Sequence, residues 1–256
     1  MSVIESTRDG PLAVVTLNKP EKRNALAMPD WQALGATIRG FAGEDGVRAV
    51  ILTGAGGHFC AGADIGEFDS ARQDARSGDA YTRAVDAAAE AILELTKPVI
   101  GAIEGSCFGG GCGLAMDCDI RIAAKSARFA IPAAKLNIVY NLRDTRNLLA
   151  LAGLGRAKRI LFSAEPVDAE TALCIGLVDE LVEGAALDAA RRLALKIAEN
   201  APMSVAGAKT LLNALVAGRP AQALSEQLSH RALESDDYKE GRRAFKEKRK
   251  PRFTGR

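Results

Sequence analysis

Short β-branched runs recur through the first 140 residues with helical patterns between them, and this alternation restricts the chain more than any other feature. The runs are "LAVVTL" (12–17), "RAVILTG" (48–54), "KPVIGAI" (97–103), "DIRIAA" (119–124) and "ARFAI" (127–131), bounded by Gly, Pro or charge. Helical patterns fall near 30–42 and across 79–95, so the order is that of an α/β protein. After residue 144 the pattern is almost wholly helical. In 187–198, Leu187, Ala190, Leu193, Ala194, Ile197 and Ala198 recur at three- and four-residue steps and predict one buried stripe. Ser204, after Pro202, is the expected N-cap of another helix, with Val205, Ala208, Leu211, Leu212 and Leu215 on one face. Ser235 is the expected cap of a last helix that begins at "DDYKEG", its acids suiting the positive end of the dipole. The division that follows is an α/β core over 1–195 and a helical segment over 196–256. Pattern alone would make the sheet doubly wound.

At 256 residues the chain can bury a large core, and 48% apolar with 26% charged residues is the balance of a globular protein. A net charge of +2 demands neither nucleic acid nor an anionic membrane. There is no apolar run of bilayer-spanning length, and "MSVIESTRDG" lacks the basic-then-apolar order of a signal peptide. Cys60, Cys107, Cys112, Cys118 and Cys174 are odd in number and lack CxxC spacing. They read as reduced, mostly buried thiols in a cytoplasmic setting, not as a disulfide frame or zinc site. His58 and His230 are the only histidines, which argues against a His-based metal centre.

Two Gly-rich stretches each follow a strand: "GAGGHFCAGADIGE" (54–67) and "GSCFGGGCGLAMDCD" (105–119). Glycine there lets the backbone approach a ligand, and a helix N-terminus aims free N–H groups at negative charge. Phosphate cradles do not fit, because no GxxxxGK[ST] occurs and "GGGCGL" lacks the acidic partner of a dinucleotide fold. On glycine alone, both stretches read as tight turns.

Taken together and in order, "FCAGADI", "GGGC", "CDIRIAA", "ARFAIP" and "EGRRAFKEKRKPRF" resemble the enoyl-CoA hydratase/isomerase (crotonase) family. "LNKPEKRNAL" (17–26), "TKPVIGAIEG" (96–105) and "EPVDAETALCIGLVDELV" (165–182) extend the likeness over about residues 12–253. The resemblance implies an α/β fold, a spiral of ββα turns followed by a helical trimerisation segment, and a homotrimer or dimer of trimers. It implies an acyl-CoA substrate, with coenzyme A as part of that substrate and no tightly bound cofactor, metal, nucleic acid or membrane. The backbone N–H groups of Ala63 and Gly110 would stabilise the oxygen of a thioester enolate, the latter helped by its helix dipole. Lys22 and Arg23 match the segment that meets the nucleotide part of CoA, where a cation suits phosphate. Ala25, Ala61, Asp64, Ile65, Gly109, Ala133 and Asn141 complete the expected substrate-binding set.

Hydratases of this family carry two glutamates, and this chain has Gly113 and Ala133 at those places. Positioned acid–base groups are worth roughly 10²–10⁴-fold in rate, so hydration by the usual pair is not expected. "VYNLRDTRN" (139–147) replaces a glycine-rich turn, and its "YNL" also resembles methylmalonyl-CoA decarboxylase. That enzyme has a histidine where Ala63 stands. Tyr140 therefore has two readings, a hydrogen-bond donor in the pocket or a packed ring with a satisfied hydroxyl. Arg143 and Asp144 read as the start of a solvated helix, His58 as a loop histidine, and Asp119 as a local hydrogen-bonding group. Cys112 and Cys118 read as core thiols, and Glu67 and Asp69 as weak candidates for a rescuing carboxylate. Lys246, Lys248, Arg249, Lys250 and Arg252 suit CoA phosphate or a solvated end, since only Phe245 and Phe253 accompany them. Three activities remain open: decarboxylation or isomerisation of an acyl-CoA, weak hydration, or non-catalytic acyl-CoA binding.

Overall fold

The computed structural model describes residues 2–67 and 75–256; Asp69 lies outside them. Nine strands are present among these residues: β1 (Ile4–Asp9), β2 (Leu12–Leu17), β3 (Ala49–Gly54), β4 (Val99–Ile103), β5 (Ser106–Phe108), β6 (Ile120–Ala124), β7 (Arg128–Ala130), β8 (Val167–Asp168) and β9 (Glu180–Val182). All five β-branched runs form strands. Six strands make a main sheet in the order β1-β2-β3-β4-β6-β9, and β5-β7-β8 make a small second sheet. Within the main sheet only β1 and β2 are antiparallel.

Continuous apolar runs arise because this parallel sheet is covered on both faces. On one side Ala13, Val15, Leu17, Val50, Leu52 and Val99 pack with Trp31, Leu34 and Ile38 of helix α1 (Met28–Gly40) and with Ala88 and Ile92 of α2 (Ala75–Glu94). On the other, Leu12, Val14, Ala49, Ile51, Ile100 and Ile122 meet Ala186, Ala189, Ala190 and Ala194 of the helix Ala186–Ala198. Small alanines let this helix lie close to the sheet; of the expected stripe Ala190 and Ala194 are buried there, and Leu187, Leu193 and Ile197 pack half-buried against the same cluster.

The sheet is not doubly wound. Each pass steps from a main strand to a second layer and then to a helix. β3 leads to Cys60, which bridges Cys107, and on to α2. β4 leads to β5 and to α3 (Gly110–Asp117), and β6 leads to β7 and, beyond a short 3-10 turn, to α4 (Leu142–Ala152). The pattern misled because the second-layer pieces are three residues or a single bridge, too short to show a period.

The C-terminal helices depart from expectation at two points. Pro202 opens the helix Pro202–Val216 with Ala201 as N-cap, and Ser204 sits inside the first turn. Proline has the fixed φ and missing donor that suit a first helical position. The expected apolar face of that helix also points outward, with Leu212 61% and Leu215 62% exposed. Gly207, Ala214 and Lys209 face inward instead. The Lys209 ammonium donates to Ile92 O (2.8 Å) and Lys97 O (3.1 Å) and pairs with Asp119 (2.8 Å). Asp119 also accepts from Val99 N, so it ties this helix to the sheet across the length of the chain instead of serving a local turn. Ser235 does cap Asp236–Glu247, accepting from Tyr238 N at 3.0 Å. Two of the five tail cations are paired: Arg249 with Glu240 and Glu247, and Lys250 with Glu199. Among the described residues no helix is long and apolar enough to cross a membrane.

Candidate active site

The two glycine stretches are brought together by the second layer. Cys60 N donates to Ser106 O and Phe108 N to Cys60 O, both at 2.9 Å. This contact is close enough to demand glycine. A Cβ on Gly62 (φ +93°) would lie 2.6 Å from Phe108 O, and one on Gly111 would lie 2.9 Å from the carbonyl carbon of Cys60. Ala63 and Gly110 consequently face each other, and a Cβ on Gly110 would stand 3.7 Å from Ala63 N. Leu26 N donates to Gly62 O and Asp64 N to Leu26 O, which leaves the Ala63 N–H directed away from this bridge. Gly110 is the first residue of α3, where the helix offers its N–H no acceptor. Neither N–H has a protein acceptor among the described residues.

Aromatic residues that the sequence reading did not single out brace this pair. The Trp31 ring packs beneath Gly110, 3.3 Å from where its Cβ would be. Its Nε1 donates to Tyr81 Oη (2.9 Å), and Tyr81 Oη donates to Leu26 O (3.1 Å). Only an aromatic on each of two facing helices hinted at this in the sequence.

The chain is matched over residues 7–256 by the model of the enoyl-CoA hydratase/isomerase family. The chain belongs to that family. The short-chain-enoyl-CoA hydratase of Clostridium acetobutylicum is 37% identical over 247 residues, covering 95% of this chain and 94% of that one. An enoyl-CoA hydratase/carnithine racemase structure from Magnetospirillum magneticum superposes with a TM-score of 0.95 at 37% identity, covering 100% and 97%. The enoyl-CoA hydratase from Bacillus anthracis gives 0.90 at 31%, covering 99% and 100%. The fold is the crotonase spiral.

Within this crotonase fold the expected binding residues divide into two groups. Ala61, Ala63, Gly109 and Gly110 lie on the meeting glycine stretches, and Ala25 is buried beside them, since Arg23 O accepts from Ala61 N (2.9 Å). Asp64 is a buried anchor: its carboxylate takes Lys22 Nζ at 2.7 Å and Lys19 Nζ at 3.1 Å. These contacts, Lys22 first, hold its carboxyl below the usual range and raise the Lys22 ammonium in turn. The Lys22 charge is thus already balanced, whereas Arg23 is exposed in a left-handed conformation at φ 50°. Ile65 is 61% exposed beside the site, and Ala133 is half-buried on a 3-10 turn.

Tyr140 is half-buried, and its hydroxyl donates to Gly109 O at 3.1 Å. Asn141 caps α4, its Oδ1 accepting from Asp144 N and its Nδ2 donating to Asp144 Oδ2, both at 2.8 Å. The expected solvated helix start is therefore wrong. Asp144 is 2% exposed because Arg143 turns back onto it (3.0 Å) and reaches Asp117 (3.3 Å) and Asp86 (2.6 Å). Asn147 donates to Asp117 at 3.0 Å. Burial pushes the Asp117 carboxyl up to about 8, against the pull of Arg143 and with Asp144 adding to it.

This network explains Gly113. A Cβ there would lie 2.9 Å from Asp144 Cγ and nearer still to Oδ2, so the carboxylate from α4 occupies the room a side chain on α3 would need. His58 is also structural, its Nδ1 accepting from Ser106 N at 3.1 Å. Glu67 reaches back to Met28 N (3.2 Å). Cys60, Cys107, Cys112 and Cys118 are buried free thiols and Cys174 is exposed; burial raises the Cys60 thiol to about 12.

Proposed function

We propose that this protein binds an acyl-CoA thioester, polarises its carbonyl between the N–H groups of Ala63 and Gly110, and carries out decarboxylation or isomerisation in preference to hydration. The observation that carries this reading is the pair of backbone N–H groups, facing each other without protein acceptors, at the mouth of a helix. An enolate oxygen placed there gains two donors and the positive end of a dipole, and losing one such donor typically costs roughly 2.7–4 kcal/mol. Gly113 and Ala133 cannot activate water. Decarboxylation asks less, because departing CO₂ leaves its electron pair in the enolate and no base is needed. Asp144 is the carboxylate that fills the space over Gly113. The family's hydratase names support acyl-CoA chemistry, while the residues at 113 and 133 favour a reaction other than hydration. A homotrimer or dimer of trimers in the cytoplasm, with CoA phosphates near Arg23, belongs to the same proposal.

Calorimetry with acetyl-, butyryl-, octanoyl- and malonyl-CoA, beside the free acids, tests binding. The esters bind and the acids bind at least tenfold more weakly; no heat with any ester removes the reading. Turnover of methylmalonyl-CoA and crotonyl-CoA then separates the reactions. Hydration of crotonyl-CoA at rates ordinary for an enzyme on its own substrate overturns the preference. Replacing the Gly110 amide by an ester deletes one N–H, and unchanged turnover would rule Gly110 out as an oxyanion donor.

A further inference from the structure

We infer that Tyr140 is a positioning residue: by donating to Gly109 O, its hydroxyl aims and polarises the Gly110 N–H. The inference rests on the oxyanion reading above and adds a residue that works without touching substrate. Gly109 O and Gly110 N belong to one planar peptide unit, with the C=O and N–H pointing in opposite directions. Fixing the oxygen therefore fixes the line along which the N–H points. Tyr140 Oη reaches that oxygen at 3.1 Å, and Gly113 N, the first hydrogen bond of α3, reaches it at 3.2 Å. Gly109 N is held separately, donating to Ala130 O of β7 at 2.7 Å.

Gly109 needs such a restraint. Its φ of 52° and ψ of −115° lie where only glycine goes readily, and a Cβ there would touch nothing within 4 Å. The side on which a Cβ would stand is open, and hydrogen bonds to its carbonyl and from its amide hold its orientation. A donor on the carbonyl also strengthens the N–H at the far end of the same peptide, since bonded chains polarise one another, by about 10–30% per bond. Tyr140 is itself secured. Its ring packs on the core, Thr145 Oγ1 donates to its carbonyl (3.4 Å), and Asn141 caps the helix that follows at once. Burial, with Asp144 next in effect, raises its hydroxyl well above the ordinary range, so it stays a donor.

The direct readout is the carbonyl stretch of a ¹³C-labelled thioester, which moves to lower frequency as the hydrogen bonds on its oxygen strengthen. Butyryl-CoA labelled at C1 is bound to wild-type protein and to Tyr140→Phe, with affinity measured alongside. In Tyr140→Phe the shift on binding shrinks by at least a third while Kd changes less than threefold. A full-sized shift in the variant overturns the inference and leaves the oxyanion reading intact. Binding without any shift in wild-type protein overturns both. Should Tyr140→Phe not fold, 3,5-difluorotyrosine placed at position 140 keeps the ring and makes the hydroxyl a stronger donor. The shift then grows, and an unchanged shift refutes the role.

Discussion

Alanine in place of a helical glycine normally stabilises a protein by about 1 kcal/mol, because glycine has more backbone freedom to lose. Gly113→Ala reverses that sign here. The new methyl would stand 2.9 Å from Asp144 Cγ and 3.3 Å from Oδ1, with Oδ2 nearer than either. Asp144 cannot yield without stretching its bonds to Asn141 Nδ2 (2.8 Å) and Arg143 Nε (3.1 Å). Overpacking of this kind costs about 1–3 kcal/mol, and stretching hydrogen bonds to a charged group, without breaking them, adds a part of their worth, about 1 kcal/mol. Set against the gain of about 1 kcal/mol, the change should destabilise by about 1–3 kcal/mol. In an Asp144→Ala background the obstruction is gone while Arg143 keeps Asp117 and Asp86, so the same substitution recovers its ordinary gain. Urea denaturation of the four proteins at one concentration gives the coupling, expected at about 2–4 kcal/mol. A stabilising Gly113→Ala of equal size in both backgrounds would refute the claim that Asp144 fills this position.

Lys209→Met leaves Asp119 without its cation and two carbonyls without their donor; a loss of about 3–5 kcal/mol is expected in denaturation, and a loss below about 1 would contradict the buried clamp. Asp117 binds a proton more tightly in the folded chain, where burial lifts it to about 8, than in the unfolded one. The folded state therefore holds the extra proton between about pH 4 and 8, and stability from this group is present at low pH and lost as pH rises through that window, by up to about 1.4 kcal/mol per pH unit. Asp117→Asn should flatten that part of the stability profile, and an unchanged slope between pH 5 and 8 would count against it. Ser235→Ala removes the acceptor of Tyr238 N and should lower stability by about 1 kcal/mol, read as a fall in thermal midpoint, with no change in thioester affinity.

The C-terminal half shows most plainly how far local pattern reaches. The stripe of 187–198 was legible because the helix packs its own small residues on the sheet. The stripe of Val205 to Leu215 was equally periodic, yet Leu212 and Leu215 face outward while a lysine goes in. Periodicity shows that a helix has an apolar face, and says nothing of what that face meets. Arg143 and Asp144 failed for a related reason. Charged residues at a helix start read as solvated, and their burial is tolerable because they pair with each other and Arg143 also meets Asp117 and Asp86 on two other helices.

Five of the nine described strands, the helical C-terminal run, the two glycine stretches and the family are legible in the sequence, since each depends on residues close along the chain. The sequence also determined that positions 113 and 133 carry no acid. The tertiary structure alone decided that Ala63 and Gly110 face each other, that Tyr140 donates to the peptide between Gly109 and Gly110, and that Asp144 occupies the room above Gly113. These are contacts between segments 31 to 47 residues apart, and their distances are fixed by how the sheet layers and helices pack. No periodicity in the chain encodes such a distance, because a side chain's surroundings are set by whichever elements the fold brings against it.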